Sequence, residues 1–160
     1  MATIDGLHFV TDRPRQSPAA PTVLTRPRAL LITKAVAAAV PEARHFARRA
    51  ALRWAIAEEP CETLSLIISE LVTNAVLHSG SADVTALIVF DGIAVTVEVA
   101  DFGRWLLRDA NRRVAEDGGA DFGRGLNLVR ACASWLTIHP SPAGTRVMAH
   151  LPVEDSGADR

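Results

Sequence analysis

The run Ile68–His78, "ISELVTNAVLH", reads as one helix with an unusual marking. Its apolar residues recur at helical spacing, and it stops at Ser79-Gly80, where glycine can take the left-handed conformation that ends a helix. Glu70, Asn74 and His78 stand four residues apart and fall within an arc of roughly 80°. Leu64, Ile68, Leu71, Val72 and Ala75 fill the opposite side, while Leu66, Ile67 and Leu77 flank the polar row. A helix apolar nearly all round is covered on most sides, and an unpaired carboxylate buried there is costly. Two explanations stand open. In one, Glu70 pairs with an arginine, Asn74 bonds to nearby backbone, and His78 sits at the helix C-terminus, where a cation is favoured. In the other, a pocket lies above the row. The Asn74 carbonyl is then a hard oxygen donor of the kind Mg²⁺ prefers, and Glu70, one turn away, acts as a base.

Working outward, this helix extends back to about Cys61. Before it, Pro41 suits the first turn of another helix, and Ala43, Phe46, Ala47, Ala50, Trp54 and Ala57 form its apolar stripe, with Arg44, Arg48 and Arg53 off it. That helix is expected to end before Pro60. Ala29–Ile32 suits a short edge strand. After the marked helix, "VTALIVF", Asp91-Gly92 and "IAVTVEVA" alternate apolar and polar residues about a turn pair, which predicts an antiparallel hairpin. A helix over Arg124–Ser134 follows. "WLTIH", a turn over Ser141–Gly144 and "TRVMAHL" then make a second hairpin. The order is that of an α+β fold: a two-layer sandwich with a mostly antiparallel mixed sheet and helices on one face.

The chain has 160 residues, 49% of them hydrophobic, which suits one domain with a full core. A net charge of −1 gives no general basic field for direct nucleic-acid binding. Cys61 and Cys132 lie far apart without paired spacing, so neither a disulfide framework nor a cysteine zinc site is expected. No signal peptide is legible, and the longest apolar run, Leu30–Val40, is short of the roughly 20 residues a bilayer span needs, so a cytoplasmic protein without membrane contact is expected. Residues 1–28 hold Pro14, Pro18, Pro21 and Pro27 without a hydrophobic period and read as an irregular or disordered arm. Residues 29–152 read as the domain, and residues 153–160 as a flexible tail.

Three glycine-bearing segments follow the marked helix. Asp101 closes a strand and precedes Phe102-Gly103, so its carboxylate can either face solvent or reach a pocket that the backbone also approaches; an adenine amine is a donor fit for it. "GRGL", Gly123–Leu126, opens a helix after a long aperiodic segment, and free amides at a helix start can hold a phosphate. Gly144-Thr145 opens the last strand. "DFG" occurs at Asp101–Gly103 and Asp121–Gly123, but the other parts of a eukaryotic protein kinase are missing from the sequence.

Glu70 and Asn74 on a helix, Asp101-x-Gly103 after a strand, Gly123-x-Gly125 before a helix, and Gly144-Thr145 come in an order that resembles the GHKL ATPase superfamily. Within it, "SELVTNAVLHSG" and the small format resemble the anti-sigma-factor serine/threonine kinases of the RsbW-like group. The resemblance covers roughly Ala29–Leu151. It implies a Bergerat-type (histidine-kinase-like) ATP-binding fold in which Asn74 coordinates Mg²⁺ and Glu70 is the general base. Asp101 would bind the adenine amine, with Gly103 giving the base room. Residues 104–120 would form an ATP lid. Gly123, Arg124, Gly125 and Leu126 would meet the phosphates, and Gly144 and Thr145 would complete the adenine side. His78, one turn beyond Asn74, would cap the helix or brace the pocket. The implied partners are an anti-anti-sigma factor as substrate and a sigma factor to sequester, and a homodimer is implied too. Trp105, Asp121 and Phe122 depart from the family's glycine boxes, which motivates a second reading: a catalytically weak, nucleotide-gated binding module of the same fold.

Overall fold

The computed structural model describes residues 26–103 and 124–153. The elements are β1 (Arg28–Lys34), α1 (Ala39–Arg53), α2 (Glu58–His78), β2 (Asp83–Phe90), β3 (Ala94–Asp101), α3 (Arg124–Cys132), β4 (Trp135–Ser141) and β5 (Gly144–Pro152). The strands lie in the order β1-β2-β3-β5-β4, and every ladder is antiparallel. The expected two-layer α+β architecture stands, and among the described residues the sheet is purely antiparallel rather than mixed.

Strand alternation builds the core. Val84, Ala86 and Ile88 of β2, Val95, Val97 and Val99 of β3, and Val147, Ala149 and Leu151 of β5 turn inward and are buried. Against them α2 lays Leu64, Ile67, Ile68, Leu71 and Val72, all buried, at roughly 1.5–3 kcal/mol for each large side chain removed from water. α2 touches β2, β3, β5 and the helices α1 and α3, so it is central among the described helices. By length and composition α2 would also pass as a membrane span, but half of that window is buried inside the fold. On the other sheet face, Leu30 and Ile32 of the edge strand β1 are 58% and 66% exposed.

The boundaries differ from expectation for identifiable reasons. α1 ends at Arg53 because Ala55 takes a positive φ of 54°. The Ile56 amide then donates to the Ala51 carbonyl (3.0 Å) and the Ala55 amide to the Leu52 carbonyl (3.2 Å), the paired bonds of a Schellman cap. Ala57 is therefore exposed outside α1, while Trp54 stacks on Phe90 with centroids 5.7 Å apart. Pro60 sits in the first turn of α2, where a missing amide hydrogen costs no helical bond, so α2 begins at Glu58 rather than Cys61. Ala55→Gly is expected to stabilise the protein by about 1 kcal/mol, since glycine occupies the left-handed region without steric penalty. A shifted urea midpoint at unchanged slope would measure it.

The first hairpin turns on Gly92-Ile93 rather than Asp91-Gly92. The Asp91 amide donates to the Ala94 carbonyl (3.1 Å), and the Asp91 carboxylate accepts from the amides of Ile93 (3.0 Å) and Ala94 (2.8 Å). Gly92 carries the positive φ, 103°, and Ile93 is exposed in the turn instead of continuing the inward row. The bonds from Ile93 and then Ala94 hold the Asp91 carboxyl below the usual carboxylate range. Their contribution to stability is present above the ordinary pKa and is lost as pH falls through the lowered one. α3 stops at Cys132, short of the expected Ser134, because the Ser134 amide already donates to the His150 carbonyl (2.8 Å) at the edge of β5.

Candidate functional site

The polar row of α2 is only partly explained by internal pairing. Asn74 is 7% exposed, and its Nδ2 has no hydrogen-bond partner among the described residues. Glu70 is half-buried. No arginine pairs with it among the described residues; the ion pairs Lys34–Asp83 (2.8 Å) and Arg146–Glu98 (3.0 Å) lie elsewhere. His78 is half-buried in the last turn and has an interaction partner. Among the described residues, His78 thus has a partner, while none is found for Glu70 or for the Asn74 Nδ2.

What lies over the row is the first turn of α3. A Cβ built on Gly125 would stand 2.5 Å from Glu70 Oε2 and 3.9 Å from Asn74 Nδ2, so the backbone there passes directly over both side chains. Only glycine leaves Glu70 its position. Arg124 is exposed at the start of the helix, and Leu126 packs against the core. Gly123 lies outside the described residues, as do the expected lid over 104–120 and the departures Trp105, Asp121 and Phe122.

A second cluster forms where β3 ends and β5 begins. Asp101 pairs in register with Thr145, and both are buried, Asp101 at 5% exposure, so a solvated strand-end carboxylate is not what the fold makes of it. Asp101 Oδ1 accepts from the amides of Gly103 (3.1 Å) and Thr145 (3.4 Å). Gly144, at φ 136°, lies so close that a Cβ would strike the Asp101 carbonyl, and a Cβ on Gly103 would strike the Ser79 carbonyl at the end of α2. A cavity of about 280 Å³ opens on this cluster and is lined by Asp101, Phe102, His139, Gly144, Thr145 and Arg146 among others.

The fold therefore brings Glu70, Asn74 and Gly125 together on one stretch of α2, and Asp101, Gly103, Gly144 and Thr145 together at its C-terminal end. Sequence reasoning missed Ser79 and Ser81, which join the two. The signal available was the Ser-Gly-Ser that follows the helix, read only as a stop.

Chemically, the first group offers an unsatisfied amide, a carboxylate and a helix start. As placed, Nδ2 of Asn74 would donate to an anionic oxygen; with the amide turned end for end, Oδ1 would face a cation. Among the described residues no group of three or more His, Cys, Asp or Glu could hold a metal ion by itself. One amide oxygen fits Mg²⁺ nonetheless, since that ion keeps several waters and takes its remaining ligands from phosphates. The second group offers a buried acceptor in a tight backbone cradle.

Against known proteins, residues 33–151 match the histidine kinase-like ATPase domain family. The fold is similar to a structure of the RsbU and RsbW domains of Rv1364c from Mycobacterium tuberculosis, at 21% identity and a TM-score of 0.62, over 78% of this chain and 31% of that one. It thus spans about a third of that chain's length. A histidine kinase domain of the Erythrobacter litoralis EL346 blue-light activated histidine kinase matches more weakly, at 25% identity and a TM-score of 0.43, over 59% of this chain and 45% of that one. No curated protein matches. A family match over most of the chain, together with the α+β sheet and helices described above, shows that this chain belongs to the histidine kinase-like ATPase domain family.

Proposed function

We propose that this protein binds ATP with Mg²⁺ and transfers the γ-phosphate to a serine or threonine of an anti-anti-sigma partner, sequestering a sigma factor when that partner is phosphorylated. The observation that carries the reading is the Asn74 Nδ2, unpartnered among the described residues, beside Glu70, both under the backbone of Gly125. Phosphoryl transfer asks chiefly for positioning and charge stabilisation, with a group to take the hydroxyl proton. Glu70 would take that proton, and Asn74 would hold the metal, which when bound would neutralise charge on the phosphates. The backbone at Gly123 and Gly125 and the Arg124 side chain meet the phosphates, with Leu126 anchoring the turn. Asp101 accepts from the adenine amine, and Gly103, Gly144 and Thr145 shape the space around the base. His78 braces the end of the helix.

The choice of substrate and partners rests on the RsbW-like motif run "SELVTNAVLHSG", with the RsbW-containing structure of similar fold as support for the scaffold. A homodimer and a cytoplasmic location belong to the same reading. Trp105, Asp121 and Phe122 favour the second reading, a nucleotide-gated binding module without efficient transfer. Labelled ATP, Mg²⁺ and the candidate antagonist separate the two. Label on the antagonist is the expected result; ATP binding by calorimetry without transfer leaves the binding module, and no ATP binding sinks both.

A further inference from the structure

The two clusters of the site are tied by a short chain of side-chain hydrogen bonds that starts one residue after Asn74. The Ser79 hydroxyl donates to the Ala75 carbonyl (2.5 Å) and accepts from the Ser81 amide (3.0 Å). Gly80, at φ 64°, turns the chain between them. The Ser81 hydroxyl in turn donates to the Asp83 carbonyl (2.6 Å) and accepts from the Phe102 amide (3.1 Å). The next amide, Gly103, donates to the Asp101 carboxylate (3.1 Å), and the glycine rests against the Ser79 carbonyl with no room for a Cβ.

Phe102 shows why this matters. The residue is 68% exposed, so its ring adds little, and its backbone is placed by the close approach of Gly144 to its Cα and by the hydrogen bond from its amide to Ser81. One hydroxyl, on a half-buried residue, therefore joins the end of β3 to the turn after α2. A ligand that spans both clusters is recognised only if the groups that read it are held within about 0.5 Å of their working geometry.

We propose that Ser81 is a positioning residue: it holds the segment Phe102-Gly103 against the end of α2, fixes the Asp101 carboxylate through the Gly103 amide, and so determines discrimination between adenine and guanine. The inference rests on the nucleotide reading above. Adenine offers an amine where guanine offers a carbonyl, so a rigidly held acceptor favours ATP and disfavours GTP, and a loosened one loses that preference.

The test uses the full chain with Ser81→Ala and Ser81→Thr, ATP and GTP affinities by calorimetry, and hydrogen exchange at the Phe102 amide. In Ser81→Ala the Phe102 amide is expected to exchange at least about tenfold faster, and the preference for ATP over GTP to fall by about tenfold, the order expected for one lost hydrogen bond. The threonine variant, which keeps the hydroxyl, restores both to within about twofold of the unaltered chain. A purely structural serine would weaken ATP and GTP binding alike and leave their ratio unchanged, which would overturn the proposal. Unchanged exchange at Phe102 would overturn it as well. Failure of the unaltered chain to bind either nucleotide would remove the nucleotide reading itself; ATP binding with an unchanged ratio in Ser81→Ala would remove only the inference about Ser81.

Discussion

Glu70→Gln is expected to slow phosphate transfer to the acceptor hydroxyl by on the order of 10²- to 10⁴-fold while leaving ATP affinity within about threefold, the signature of a lost proton acceptor rather than a lost ligand. Glutamine keeps the volume and planarity of the side chain, so the turn at Gly125 can remain over it; what it loses is the capacity to take a proton. Gly125→Ala should reach a similar result by another route. Its Cβ would stand 2.5 Å from Glu70 Oε2, and that oxygen is the free end of a flexible side chain. Glu70 would swing aside and the fold would persist, with melting temperature little changed and transfer reduced. Single-turnover kinetics with calorimetry on the same preparations separates the two quantities. A loss of less than tenfold in Glu70→Gln would place the base elsewhere.

Gly144→Ala is expected to destabilise the protein by about 3 kcal/mol or more, through a positive φ that alanine resists and a Cβ with nowhere to go. Here the obstacle is backbone, the Asp101 carbonyl and the Phe102 Cα, and it cannot rotate away. Relieving the contact means separating two interior strands, β3 and β5, at the Asp101–Thr145 pair that ends their ladder. Gly92→Ala is the control. It shares the positive φ, 103°, but a Cβ there meets nothing within 4 Å, so only the conformational cost remains, about 1 kcal/mol. Thermal unfolding should place the two variants well apart, on the order of 10 °C for Gly144→Ala. Equal losses would mean that backbone conformation alone, and not the contact with Asp101, decides the need for glycine at this position.

Much of the fold was legible because it depends on local pattern. The alternation in "VTALIVF" and "VTVEV" and the helical spacing in Leu64–Ala75 each specify an element without knowledge of its neighbours. The errors lay at boundaries, where one bond or one dihedral decides. Pro60 reads as a stop, yet in a first turn it is harmless; Ala55 gives no sign that it will take a left-handed conformation; and Asp-Gly suggests a turn centre that the Asp91 carboxylate moves by one residue.

The candidate site divides in the same way. The four-residue spacing of Glu70 and Asn74 places them on one helix face wherever the helix goes, and that much the sequence determined by itself. The burial of Asp101 was open, since a strand-end aspartate beside a glycine suits solvent as well as a pocket. The pairing of β3 with β5 and the close approach of Gly144 enclosed it. Nor could spacing alone reveal that Gly125 would lie over Glu70, or that Ser81 would reach Phe102, because these contacts join residues far apart in the chain. Periodicity is a property of neighbouring residues and survives in a string of letters. Proximity between distant segments arises only when the sheet order β1-β2-β3-β5-β4 and the docking of α2 and α3 bring their backbones together.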